Sequence, residues 1–144
     1  MKQASADDMP VPQLREAFRL TLSFGKAALI GRLATGGERR VSLVTAGSIT
    51  GERLNGEVIS GSEIELARGD GVTTLEISYL VRANDGTLIR LMGNGVRARS
   101  SFAGIRTTIS FEVDENSSHA WLATRAFIAE RPEGSDTIVI TQIV

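Results

Sequence analysis

The chain has 144 residues, with sixteen basic residues against seventeen acidic ones and a net charge of -1. That is the size of one domain with a real core, and the charge balance argues against a bulk electrostatic nucleic-acid binder. No cysteine is present and His119 is the only histidine, so disulfides, thiolate metal sites, iron–sulfur clusters, a cysteine nucleophile and polyhistidine zinc sites are excluded.

Residues 1–14 read as a flexible polar leader to a single domain spanning 1–144. Met1 to Asp8 has neither the basic nor the apolar region of a signal peptide. The longest apolar run, near Ala27-Ala28-Leu29-Ile30, is far below membrane-spanning length. The expectation is a cytoplasmic protein that does not engage membranes.

Fifteen glycines and three prolines punctuate the chain, with short apolar runs between them. This is the pattern of an all-β fold. Pro12 to Ala17 is the only segment with helical flavour and amounts to a turn. Phe18, Leu20, Leu22 and Phe24 alternate with polar residues, as a half-buried strand does. Leu75, Ile77, Tyr79 and Val81 alternate in the same way. Trp121, Ala123, Arg125 and Phe127 fit a third strand, opposite Leu122, Thr124, Ala126 and Ile128. Thr137 to Val144, rich in β-branched residues, reads as a strand buried on both faces. Asn84-Asp85-Gly86, Asp70-Gly71 and Glu133-Gly134-Ser135-Asp136 supply the turns. About eight strands with short turns predict a meander, and closing it into a small antiparallel barrel would remove its open edges.

Few motifs carry chemistry. Gly93-Asn94-Gly95 and Gly47…Gly51 lack the strand–helix context of nucleotide loops and read as turn glycines. Asp114-Glu115-Asn116 lacks calcium-loop spacing. Arg97-Ala98-Arg99 with Arg106 is a modest basic stretch with one neighbouring aromatic, Phe102, too little for a nucleic-acid surface.

The carboxylates Glu57, Glu63, Glu65 and Glu76 fall in or beside strand-like runs. On an inner wall a carboxylate would be desolvated and tuned for acid–base work, whereas on an outer face it simply meets water. Bare periodicity puts Glu76 on the polar face. His119 reads either as a proton shuttle at a cavity mouth or as a polar residue after the Asn116-Ser117-Ser118 loop. Tyr79 reads as a core tyrosine or as an acid, and Trp121 as core filling or as a flat wall for an aromatic ligand.

The glycine framework adds a resemblance. The segment from Gly37 to Gly61 resembles the opening of the domain-of-unknown-function 3237 family, with glycines in the pattern G-x-x-x-G-x-x-L-x-G-x-V-x-x-G-G followed by an acid and a tryptophan. Here Glu63 keeps the acid and Ile64 replaces the tryptophan. The family's acid–x–Arg–Tyr block appears as Glu76-Ile77-Ser78-Tyr79, followed by Asn84-Asp85-Gly86. Arg106-Thr107, Phe111-Glu112 and His119-Ala120-Trp121-Leu122-Ala123 match later blocks, with His119 in place of a tyrosine and Ala123 in place of an asparagine.

The resemblance implies a small barrel, similar in architecture to allene oxide cyclase-like and dirigent-like barrels, that assembles into homo-oligomers. It further implies a cofactor-independent lyase or isomerase acting on a small hydrophobic, aromatic or enolisable molecule in the barrel mouth. In that reading Glu76 or Glu63 takes a proton. Tyr79, Arg106 or His119 steadies the developing negative oxygen or returns the proton, and Trp121 holds the ring. A non-catalytic hydrophobic-ligand carrier and an oligomeric structural protein with a filled interior are the alternatives.

Overall fold

Alternation of apolar and polar side chains, interrupted by glycine turns, produces nine strands and almost no helix among the described residues. The structure, a computed structural model, describes residues 5–97 and 104–144. The strands are β1 (Leu14–Phe24), β2 (Ala28–Arg32), β3 (Glu38–Gly51), β4 (Gly56–Ala67), β5 (Thr73–Ala83), β6 (Leu88–Arg97), β7 (Gly104–Val113), β8 (Ala126–Pro132) and β9 (Thr137–Ile143). Ala98, Arg99 and Phe102 of the basic stretch lie outside the described residues.

Strands β3 to β9 pair in sequence order, all antiparallel, and β1 closes the ring by pairing with both β9 and β3. The result is a closed eight-stranded antiparallel barrel. Strand β3 is long enough to serve two neighbours. Its second half, Val44 to Gly51, pairs with β1, while Glu38 to Val41 pairs with β2, which lies outside the ring. A barrel of this strand number has an interior only wide enough for side chains or one small ligand.

The expected strands at Phe18–Phe24 and Leu75–Val81 are present, with Phe18, Leu20, Leu22, Leu75, Ile77, Tyr79 and Val81 in the core. The segment Pro12 to Ala17 is not a turn, because β1 already begins at Leu14. Three expected turns join strands as anticipated, with Gly71, Gly86 and Gly134 at positive φ. Other readings are corrected too: Gly47 lies inside β3, and Gly93 and Gly95 inside β6, rather than in turns. Residues Ala120–Thr124 form a 3-10 turn rather than a strand, and β8 starts only at Ala126. That turn drops Leu122 into the barrel end, so its apolar residues serve as a plug. Strand β9 is buried on one face, at Ile138 and Ile140, while its opposite face is half-buried.

The two ends of the barrel differ. The closed end carries the β3–β4, β5–β6 and β7–β8 connections and is filled by the edge-on aromatics Phe18, Phe111 and Phe127, with Trp121 against them. At the other end, where the β4–β5 and β8–β9 turns lie, the described residues leave a recess.

Candidate functional site

A bulge in β4 sets the site. Val58 pairs with Val81 and Ser60 with Leu80, so Ile59 is the extra residue and the inward parity changes from even to odd positions. Before the bulge Glu57 points outward and meets Arg82 at 3.1 Å. After it Gly61 and Glu63 face the lumen opposite Tyr79 and Ile77. Gly61 has φ +149, and a Cβ there would stand 2.5 Å from the Ser78 carbonyl oxygen. Glycine therefore lets β4 close on β5 beside Tyr79.

Glu63, only 5% exposed, is the buried carboxylate of the described residues. The Tyr79 hydroxyl donates to Glu63 Oε1 at 2.7 Å. Arg131, from β8, donates through Nη1 to Oε1 at 2.7 Å and through Nη2 to Oε2 at 3.1 Å. This two-pronged match of guanidinium to carboxylate is the strong form of a charge-assisted hydrogen bond. Burial pushes the Tyr79 hydroxyl well above its ordinary range, and the Glu63 charge and hydrogen bond add to that, with Arg131 opposing. Burial by itself would weaken the Arg131 cation, but hydrogen bonding and charge from Glu63, with help from Tyr79 and Glu65, raise its pKa. The guanidinium also stands 5.8 Å from the centre of the Phe24 ring.

Glu63 and Arg131 form the floor of a recess of about 380 Å³ at the mouth, walled by Leu22, Phe24, Ser42 and Ile105, with Arg97 at the rim, and Tyr79 supports Glu63 from behind. Behind the trio, between Leu75, Ile77 and Thr107, lies a void of about 10 Å³, room for about one water. The site thus offers a desolvated carboxylate, a neutral phenol that donates and guanidinium N–H groups not used by Glu63. Among the described residues no group of three or more histidines or carboxylates is placed to hold a metal.

The residues singled out from sequence fall into three places. Glu63 and Tyr79 come together in the lumen. His119 and Trp121 sit at the closed end. There the His119 ring lies 3.0 Å from Asp85, and Arg53 stacks 3.8 Å over Trp121. The Asp85 carboxyl is held below the usual carboxylate range, first by the Thr87 amide and in smaller part by His119. Glu76 and Arg106 stand on the outer wall, Glu76 exposed and Arg106 paired with Glu130 at 3.1 Å. Arg131 was missed. Its signal was present as a lone arginine in phase with Phe127 and Ala129, two buried residues of the same strand.

Comparison with known proteins gives the barrel its relatives. A UPF0311 protein of Clostridium acetobutylicum is 32% identical over 83 residues, covering 57% of this chain and 52% of its own length, so the match spans about half of that relative. A crystal structure of a protein of unknown function from Clostridium acetobutylicum superposes with a TM-score of 0.82 at 23% identity, over 92% of this chain and 99% of the other. A β-barrel-like protein from Acinetobacter baumannii gives 0.81 at 20% identity, over 94% and 96% of the two chains. An enzyme from Penicillium herquei gives 0.75 at 21% identity, over 94% and 98%. These likenesses carry the fold. Among helices of the described residues none is long and apolar enough to cross a membrane. The model of the family described as protein of unknown function, DUF3237, matches residues 12–143, and the chain belongs to that family.

Proposed function

We propose that the mouth recess binds a small molecule bearing an enol, phenol or carbonyl, and that the protein is a lyase or isomerase working by acid–base chemistry with Glu63 as the base. The observation that supports this most is the buried carboxylate at the floor of an open recess, held between Tyr79 and Arg131. A charge withdrawn from water in such a place acts at short range without screening. Glu63 would take a proton from the substrate carbon or hydroxyl. The remaining N–H groups of Arg131 would face the oxygen on which negative charge develops. Protonated Glu63 would then return the proton, to another carbon in an isomerisation or to the departing oxygen in an elimination. Tyr79, kept neutral, holds the Glu63 oxygen in place. That a fungal protein on the same fold is an enzyme is consistent with this reading.

The alternative is a carrier. It is favoured by the fact that both Glu63 oxygens already have partners. One experiment separates the two. Phenylpyruvate and phenylacetaldehyde are incubated with the protein in heavy water, and exchange of the acidic C–H is followed by NMR while ligand-induced thermal shifts are recorded. Exchange accelerated by the wild type, abolished in Glu63→Gln with the thermal shift retained, and intact in Glu76→Gln would support catalysis. Thermal shifts without exchange would support the carrier. Neither effect, across a panel of phenols and carbonyl compounds, would discard the site.

A further inference from the structure

A second concavity lies not in the lumen but on the outside of the wall, a groove of about 610 Å³ across β4 to β8. That volume lies within the range of small-molecule sites. Its origin is legible in β6. Gly93 and Gly95 face inward, and a Cβ on Gly93 would come 2.8 Å from Ile109 Cδ1 and 3.0 Å from Ile77 Cγ1, while one on Gly95 would come 2.2 Å from Thr107 Cγ2. With no side chain to hold β6 off its neighbours, the wall settles toward the core and leaves a depression behind it.

Strand register decides what lines the depression. One row across the outer face runs Ile64, Glu76, Asn94, Thr108 and Ile128. The next runs Leu66, Thr74, Val96, Arg106 and Glu130. Apolar side chains thus flank a polar centre, with Val96 52% exposed. Arg106 is tied to Glu130. Glu76 has no hydrogen bond or ion pair to any described residue. It stands directly opposite Asn94, its side-chain root about 5 Å away, so the pair presents a carboxylate and a side-chain amide to the same space. Arg39, on β3, pairs with Leu66 and lines the groove one row away from Glu76.

We propose that this groove is a second ligand site, distinct from the mouth, for a small amphipathic amine. The ammonium would lie on Glu76 and Asn94 and the apolar body on Leu66, Val96 and Ile128. A carboxylate can only accept hydrogen bonds, and an unpartnered one amid aliphatic groups is matched by a donor with a positive charge and an apolar stem.

The test is an NMR titration of the nitrogen-labelled protein with phenethylamine, alongside 2-phenylethanol and 3-phenylpropanoate as neutral and anionic counterparts. Phenethylamine is expected to give saturable shifts at Glu76, Asn94, Val96 and Thr108 and none at Glu63 or Arg131. Glu76→Gln should weaken it about tenfold, the scale of one charge-assisted contact, while leaving the alcohol unchanged. Val96→Ser should weaken the amine and the alcohol alike. Glu76 is exposed and unpartnered, so the variant should fold as the wild type does. The proposal falls if the shifts do not saturate, if they centre on the mouth, if Glu76→Gln binds the amine equally well, or if the propanoate binds more tightly.

Discussion

The two ends of the barrel are built by the same strands and behave oppositely. At the closed end the buried inward side chains, among them Phe18, Ile49, Ile89, Phe111 and Phe127, are aliphatic or aromatic, and Ala120–Thr124 adds Leu122 as a cap. At the mouth the inward positions become Ser42, Glu63, Thr107 and Arg131, and the packed core gives way to a recess. Strand number fixes the width of such a lumen, and the side chains at each level decide whether it is filled. One tryptophan and one tyrosine occur in the sequence. Trp121 therefore reports on the closed end and Tyr79 on the mouth, so each half can be followed by its own optical signal.

The largest effect is expected at the closed end. Phe127 touches Phe18, Phe111 and Trp121, with its ring centre 5.0 Å from that of Phe111. Phe127→Ala should cost about 4 kcal/mol of unfolding free energy, through lost burial and the cavity left behind. Denaturant unfolding followed by Trp121 fluorescence measures it. A loss below about 1 kcal/mol would show that this end is far less tightly packed than its contacts indicate.

The mouth should be nearly as sensitive, for a different reason. Arg131→Met strands the Glu63 carboxylate in the interior with only the Tyr79 hydroxyl beside it, and should cost about 3 kcal/mol. If charge rather than shape is responsible, adding Glu63→Gln to that variant should restore most of the loss, because no buried charge then remains without a partner. A double variant no more stable than Arg131→Met would refute this account of the pair.

Tyr79→Phe removes one hydrogen bond and should cost about 1 kcal/mol near neutral pH. It should also alter the alkaline limb of stability. The folded-state pKa of Tyr79 is raised, so above about pH 10 the unfolded chain releases a proton that the native state retains. Stability must then fall with rising pH, by up to about 1.4 kcal/mol per unit, and the phenylalanine variant should lack that contribution. Ultraviolet titration of the single tyrosine checks the premise directly. Ionisation near pH 10 without unfolding would show that the hydroxyl is not buried against Glu63.

How much of this was legible in the sequence depends on the element. Alternation at Phe18–Phe24 and Leu75–Val81, with Gly71, Gly86 and Gly134 between strands, was enough for an all-β chain, and the glycine framework extended that to a closed barrel. The segment around Trp121 misled because four residues of period two look alike in a strand and in a tight turn that docks its apolar side. The site was half legible. Glu63 and Tyr79 stood out as residue types, but which of Glu57, Glu63 and Glu65 turns inward depends on the bulge at Ile59, and no glycine or proline marks that position. Arg131 was readable only once the start of β8 was known. Glu76 and Arg106 were read as parts of a lumen site, and register alone places them together outside it.

The smallest effect tests the inside–outside contrast. Glu57 and Glu63 lie on the same strand, each joined to an arginine, with side chains 59% and 6% exposed respectively. Coulomb attraction is the same in kind, but water screens the outer pair and already solvates both its partners. Arg82→Ala should therefore cost less than about 1 kcal/mol, and that cost should shrink further in high salt. The cost of Arg131→Met should change little with salt, since buried charges are screened far less than exposed ones. Urea unfolding of both variants at low and high ionic strength makes the comparison. A marked salt dependence at Arg131 would mean that the mouth is wetter than its contacts imply, and Glu63 would then lose the desolvation on which its role as a base depends.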